Sequence, residues 1–326
     1  MAILITGGAG YIGSHTVKYF QEQGEELVVV DNLQSGHREA LDNCTFYNLD
    51  IRDTEGLNKV FRSHNIDGVI HFAANSLVGE SMKMPYEYYH NNVYGMLCLL
   101  GVMKENKVSN IVFSSTAAVY GEPKNIPILE EDVTVPTNVY GQTKLAMENM
   151  MKWFDISYGI KYVSLRYFNA AGAYEDGSIG EVHNPETHLI PLILQVPLGQ
   201  RDSIYIFGND YPTEDGTCIR DYIHVMDLAS AHYLAYRHLQ DGNKSHIFNL
   251  GNGNGYSVKE VIQAARDVTG HPIAAQVVKR RDGDPAVLVA SSEKIKHILG
   301  WEPQFKSLEK IIEDAWRFHR LRPSGY

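Results

Sequence analysis

Cysteine is nearly absent from this chain. Cys44, Cys98 and Cys218 are odd in number, far apart and in no C-x-x-C pair, which argues against a disulfide framework and suits a reducing compartment. Long apolar runs are missing as well. The N-terminus opens directly on Met1-Ala2-Ile3-Leu4-Ile5-Thr6-Gly7 with no basic leader, and no stretch reaches the roughly 20 apolar residues that a membrane helix needs. Positive charge is scarce: 29 Lys and Arg stand against 39 Asp and Glu, a formal net charge of -10. That argues against broad binding to nucleic acid or an acidic membrane, although a local pair of arginines can still hold a small anion. Low-complexity tracts and internal repeats are lacking too. What remains is an ordinary globular composition, 44% hydrophobic and 21% charged over 326 residues, long enough for two lobes and expected in the cytoplasm.

Short apolar runs at Ala2 to Thr6, Leu27 to Val30, Thr45 to Leu49, Gly68 to Phe72, Ile111 to Ser114 and Tyr162 to Leu165 alternate with helix-length segments. Those segments are Ile12 to Gln23, Thr54 to Ser63, Pro85 to Glu105 and Val139 to Tyr158. Continuous apolar strands separated by helices predict an α/β fold, a doubly wound parallel sheet of the Rossmann type. Beyond Asn169 the pattern loosens, and Gly, Asp, Pro and Asn concentrate between Gly172 and Pro185 and between Gly208 and Gly216. We expect residues 1–168 to form a dinucleotide-binding lobe that a segment of about 222–251 rejoins, and 169–326 a smaller, loop-rich α/β substrate lobe. Later helices are expected at Val258 to Thr269 and Leu308 to Arg320.

The first run feeds Gly7-Gly8-Ala9-Gly10-Tyr11-Ile12-Gly13 at the start of a helix. Glycines there permit a sharp turn and let backbone amides approach a pyrophosphate, which a helix N-terminus stabilises. Tight turns alone would also want some of these glycines. Asp31 ends the second run, where a carboxylate accepts hydrogen bonds from the adenosine ribose and repels a 2'-phosphate, favouring NAD over NADP; it is also an ordinary turn former. Asp50-Ile51 is expected against the adenine, and Phe72-Ala73 beside the dinucleotide, with core packing an equal explanation for Phe72. His71 reads as a packed core histidine.

Tyr140 and Lys144 stand four residues apart and so share one helix face. A phenol with a pKa near 10 is a poor base at neutral pH; a neighbouring ammonium and a positive nicotinamide favour the phenolate. The spacing means little by itself in a chain with 20 tyrosines. Its partner is the run Ser114-Ser115-Thr116 at the end of the fifth strand, where Thr116 can hydrogen-bond the same reacting oxygen or simply close a turn.

Taken together, the Gly7 to Gly13 fingerprint, Asp31, the Ser114-Ser115-Thr116 run and the Tyr140/Lys144 pair resemble the extended short-chain dehydrogenase/reductase family. The segments Val78-Gly79-Glu80-Ser81, Tyr88-Tyr89-His90-Asn91-Asn92, Leu165 to Ala173 and above all Phe207 to Val225 are similar to its UDP-sugar 4-epimerase branch over essentially the whole chain. The resemblance implies bound NAD, a UDP-glucose or UDP-galactose substrate, and a commonly homodimeric enzyme. It implies that Tyr140 takes the proton of the sugar 4-hydroxyl, that Lys144 holds the nicotinamide ribose, and that Asn32, Ser35, Asn91, Ser114 and Tyr167 join the glycine loop around NAD. It further implies that Asn169, Arg220 and Arg281 contact the UDP pyrophosphate, Tyr205 and Phe207 border the uracil, Asp284 binds the uridine ribose, and Leu189 contributes a backbone contact.

Three departures bear on this. Ser76 stands where some members carry a lysine near the cofactor pyrophosphate, and Thr187-His188 where others have paired asparagines. Leu288 falls where residue size varies with tolerance for an N-acetyl sugar; a leucine leans toward the plain hexoses, and a UDP-sugar epimerase of other range, for pentoses or N-acetylhexosamines, stays open. A 4,6-dehydratase would need an acid pair after Thr116, where Ala117 and Ala118 stand. A non-catalytic dinucleotide sensor would have no need of Thr116, Tyr140 and Lys144 together. Met96, Leu97, Leu100, Met103, Met147 and Met151 fall at helical spacings, as dimer seam or as internal core.

Overall fold

The computed structural model describes residues 1–281 and 284–326. Its strands, in chain order, are β1 (Ala2–Thr6), β2 (Leu27–Asp31), β3 (Thr45–Asn48), β4 (Ile66–His71), β5 (Asn110–Thr116), β6 (Lys161–Tyr167), β7 (Asn169–Ala171), β8 (Ile204–Phe207), β9 (Ile219–His224), β10 (His246–Leu250), β11 (Gly255–Ser257), β12 (Ala275–Val278) and β13 (Val287–Leu288). Seven of them form one sheet in the order β10-β6-β5-β4-β1-β2-β3, every neighbouring pair parallel. β1 and β2 are buried along their whole length, because helices cover both faces; this is why they read as unbroken apolar runs rather than alternating ones. Helices Tyr11–Glu22 and Val225–Gln240 lie on one face and Thr54–Ser63, Gly95–Glu105 and Val139–Tyr158 on the other.

From β1 the chain moves outward to β2 and β3, then crosses back to place β4 on the other side of β1. The crevice beyond the carboxyl ends of β1 and β4 is therefore the switch point where such sheets bind ligands. Phe72 and Ala73 both donate backbone N–H bonds to the Thr6 carbonyl, at 2.8 and 3.1 Å, which pins the end of β4 to the start of the glycine loop.

Two expectations are refined. The segment that returns to the sheet begins at Val225, since β9 pairs with β7, β11 and β13 outside it; the 16-residue helix Val225–Gln240 does not show in the sequence because its buried stripe is broken by Asp227 and His232. The stretch Pro85 to Glu105 is a helix at both ends with a wider π turn over Tyr89–Tyr94. The inserted residue turns both Asn91 and Asn92 inward, 9% and 0% exposed, a frequent device at functional sites.

A separate core forms around helices Leu189–Leu194, Val258–Thr269 and Leu308–Leu321, with β8 and β12 as a two-stranded parallel pair. Among the described residues no helix is long and apolar enough to cross a membrane.

Candidate active site

The glycine loop is flat by necessity. Gly7 has φ +73°, and a Cβ there would fall 2.5 Å from the Ala73 nitrogen; one on Gly13 would fall 2.2 Å from the Gly7 carbonyl oxygen. Gly10 is hemmed only by the Gly7 oxygen at 3.4 Å. The helix that starts at Tyr11 thus turns its unpaired first-turn N–H groups into the switch-point crevice. Ile12 packs on the core beneath, while the Tyr11 hydroxyl donates to the Gly172 carbonyl at 2.7 Å. Asp31 closes the far end: its two oxygens accept from Ala9 N–H at 3.0 Å and Leu33 N–H at 2.8 Å, and burial raises its pKa.

Around that crevice, Asn32 donates to Asp50 at 3.1 Å, and Asp50 is held down to a pKa of about 2, mainly by hydrogen bonds from Arg52. Ser35 is exposed on the loop after β2, and Ile51 is buried. Phe72 lies against His232, ring centroids 4.7 Å apart, and half-buried against the core, so packing is its visible role. His71 is buried, bonded to the Thr6 hydroxyl at 2.7 Å and lowered to about 3, first by burial and then by the charge of Lys144. It is a core histidine, as expected. Asn91 donates to Asn92 at 3.1 Å.

Helix Val139–Tyr158 begins under the cap of Asn138, whose side chain accepts from Gly141 N–H at 2.8 Å. A Cβ on Gly141 would meet the Ala118 carbonyl oxygen at 2.5 Å, so the first turn rests directly on the backbone that follows Thr116. This brings the Thr116 hydroxyl to the Tyr140 phenol. One turn on, Lys144 is buried at 2% exposure and donates to the Ser114 carbonyl at 2.8 Å, its ammonium 4.8 Å from the Phe113 ring centre and 5.9 Å from that of Tyr140. Ser114 and Tyr167 share a short hydroxyl–hydroxyl contact alongside.

The expected depression of the Tyr140 pKa by Lys144 is not produced by the protein's own groups. Burial pushes Tyr140 up to about 12, opposed only by the Thr116 hydrogen bond, and burial lowers Lys144 to about 7 against the pull of Glu148. The ammonium is turned to a carbonyl rather than to the phenol, so desolvation wins on both.

On the facing side, Asn169 opens β7 in register with Tyr222, and Leu189 opens helix Leu189–Leu194. Arg220 of β9 is committed to Asp284 at 2.5 Å and to the Pro285 carbonyl at 2.8 Å. Arg281 lies 4.0 Å over the Phe207 ring, and Tyr205 is 41% exposed on β8. Leu288 pairs with Arg220 across β13 and β9 and packs on Val119, Tyr120 and Ile128.

Residues 3–251 match the family model described as "NAD dependent epimerase/dehydratase family". The chain belongs to the NAD dependent epimerase/dehydratase family. Over its full length it is 64% identical to a UDP-glucose 4-epimerase of Halalkalibacterium halodurans, covering 98% of that protein. It superposes on a crystal structure of UDP-glucose 4-epimerase with a TM-score of 0.98 at 57% identity, covering 100% of this chain and 99% of that one. A second, UDP-glucose 4-epimerase from Bifidobacterium longum in complex with NAD+ and UDP, matches at 38% identity with both chains fully covered and a TM-score of 0.94.

The crevice fits the family's cofactor. Its glycine floor leaves no room for side chains at Gly7 and Gly13, its helix terminus suits a diphosphate, and Asp31, with one backbone donor on each oxygen, retains acceptor capacity for two ribose hydroxyls.

Two members of the site escape sequence reasoning. Asn92 donates to Thr143 Oγ1 and the Asn75 carbonyl, both at 3.0 Å, and accepts from Asn75 N–H at 2.8 Å; it ties the loop after β4 to the helix of Tyr140. Gly141 sits inside a helical run, where a glycine in the first turn beside a reactive tyrosine is the signal of a close backbone approach.

Proposed function

We propose that this chain interconverts UDP-glucose and UDP-galactose by inverting sugar carbon 4, and that Tyr140, Thr116 and Lys144 are the catalytic groups. The observation that carries the reading is their convergence at the carboxyl end of β5, beside the switch-point crevice. NAD, when bound, supplies the hydride acceptor for carbon 4, the positive charge that favours the Tyr140 phenolate, and afterwards the hydride donor. Tyr140 takes the proton of the 4-hydroxyl while Thr116 holds the same oxygen, and carbon 4 becomes a ketone. The keto sugar turns about its link to the diphosphate, its other face meets the site, and Tyr140 returns the proton. Proton and hydride are both given back, so no net redox change occurs.

In this reading Gly7, Gly10, Tyr11, Ile12, Gly13 and Asp31 hold the dinucleotide with Asn32, Ser35, Asp50, Ile51, Phe72, Ala73, Asn91, Ser114 and Tyr167. Arg220 and Arg281 meet the UDP diphosphate with Asn169 and Leu189; Phe207 and Tyr205 border the uracil, and Asp284 binds the ribose. The Arg220–Asp284 pair supports this, since it sets a guanidinium beside a carboxylate in the substrate lobe, and a planar guanidinium suits phosphate oxygens. Residues 1–168, with the returning segment, serve the cofactor, and 169–326 the substrate.

The reading also includes a cytoplasmic homodimer. Free thiols at all three cysteines suit that compartment. Of the apolar stripe read from the sequence, Met96, Leu100, Met103, Met147 and Met151 are internal core and only Leu97 is exposed. Tyr86, Tyr89, Tyr94, Leu97, Trp153 and Ile156 are all exposed and offer apolar surface to a partner. The test is incubation of the purified protein with UDP-galactose, UDP-N-acetylgalactosamine and UDP-xylose without added NAD. UDP-glucose is expected as the main product; no conversion even with NAD supplied overturns the reading.

A further inference from the structure

Between β7 and helix Leu189–Leu194 lies a cluster that the proposed reaction does not use. Glu181, His183, Glu186 and His188 each present one ligand atom, and all four atoms lie within 4.8 Å of one another. Glu181 is only 4% exposed at its side chain and has two imidazoles against one carboxylate oxygen. His183 Nδ1 stands 3.2 Å from Glu181 Oε1 and 3.6 Å from Glu186 Oε2, yet this buried nitrogen has no hydrogen-bond partner among the described residues. His188 Nδ1 closes on the same Glu181 oxygen.

The two His183 separations lie near the edge length of a coordination tetrahedron, while His188 and Glu181 are in direct contact. Metal–ligand bonds of about 2.0–2.1 Å in a tetrahedron put the ligand atoms roughly 3.3–3.4 Å apart. The ligands are also preset. Glu186 Oε1 accepts from Thr187 N–H at 2.7 Å and His188 N–H at 2.8 Å, which leaves Oε2 facing His183. Next to Glu181, Gly180 is clamped by the Tyr326 hydroxyl, which accepts from its N–H at 3.0 Å and donates to its carbonyl at 3.1 Å; a Cβ on Gly180 would fall 2.2 Å from the Phe318 ring. Such supporting contacts are what hold metal ligands in place.

We propose that Glu181, His183, Glu186 and His188 bind one divalent transition-metal ion of the zinc class. Two imidazoles and two carboxylates suit zinc better than magnesium or calcium, which prefer all-oxygen shells. The role is structural. His183 meets the Tyr11 ring edge-on at 6.4 Å between centroids, so the ion fastens the segment that leads into Leu189 onto the first helical residue of the glycine loop. The site goes beyond the epimerase reading and stands or falls separately from it.

The test is calorimetric titration of the chelator-treated, full-length protein with Zn2+, with the visible spectrum of the Co2+-loaded form. Wild type is expected to take up one equivalent with a tetrahedral cobalt spectrum and a rise in Tm. Glu181→Gln and His183→Asn are expected to weaken binding by tenfold or more. His188→Asn, at a half-exposed side chain, is expected to do so without loss of fold, keeping the test decisive if the buried variants unfold. Absence of saturable binding in wild type, or equal binding in wild type and His188→Asn, overturns the proposal.

Discussion

Gly141 faces the Ala118 carbonyl so closely that a single methyl at its Cα would sit 2.5 Å from that oxygen. The contact sets the separation between the backbone carrying Thr116 and the helix carrying Tyr140. Gly141→Ala is therefore expected to lose about 1–3 kcal/mol through overpacking, seen as a lower urea midpoint. Turnover should fall further than stability explains, roughly a hundredfold for a displacement near 1 Å.

Lys144 is held in the opposite balance. Burial lowers its pKa to about 7, so at pH 7 to 10 the unfolded chain holds a proton there that the folded chain partly gives up, and folding is penalised. Lys144→Met is expected to be at least as stable as wild type at pH 8 while turning over at least a hundredfold more slowly. Paired thermal melts and steady-state assays check both halves.

Behind the reactive strand, Arg166 forks onto Glu148 at 2.6 and 3.0 Å, Ser115 donates to the same carboxylate at 2.5 Å, and Tyr120 accepts from Arg166 at 2.9 Å. All are buried. Removing one partner strands the other's charge, so Arg166→Met is expected to cost about 3–5 kcal/mol in urea unfolding. A loss below 1 kcal/mol would contradict a closed ionic network there.

Much of this was legible in residues whose chemistry is local. Strand runs such as Leu27 to Val30 showed themselves because both faces of the sheet are covered, and the Gly7 to Gly13 turn because its spacing is set by the backbone. The helix Val225–Gln240 was not, since Asp227 and His232 are polar yet buried: Asp227 accepts from Gln304 and Phe305 N–H at 2.8 and 3.0 Å, partners some 77 residues away that periodicity cannot see. The π turn at Asn91 and Asn92 was hidden likewise, because one inserted residue leaves composition unchanged. The order of pKa effects at Tyr140 depends on burial, which spacing alone does not report.

His71 and His232 are buried neutral, at about 3 and about 4, chiefly through desolvation. Below pH 6.5 the unfolded chain binds a proton at each that the folded chain refuses, so stability falls as pH drops from 6.5 toward 4, by about 1.4 kcal/mol per pH unit per group. His232→Asn is expected to flatten that acid limb by one such slope between pH 5.5 and 4.5, read from urea midpoints. An unchanged slope would contradict a neutral His232 in the folded chain.

The central claim is that the Tyr140 phenol moves the sugar's proton, and Tyr140→Phe tests it most directly because it removes one oxygen and little else. With cofactor content and thermal stability matched to wild type, UDP-galactose conversion by the variant is expected to fall by about 10²–10⁴-fold. Conversion at the wild-type rate would contradict it.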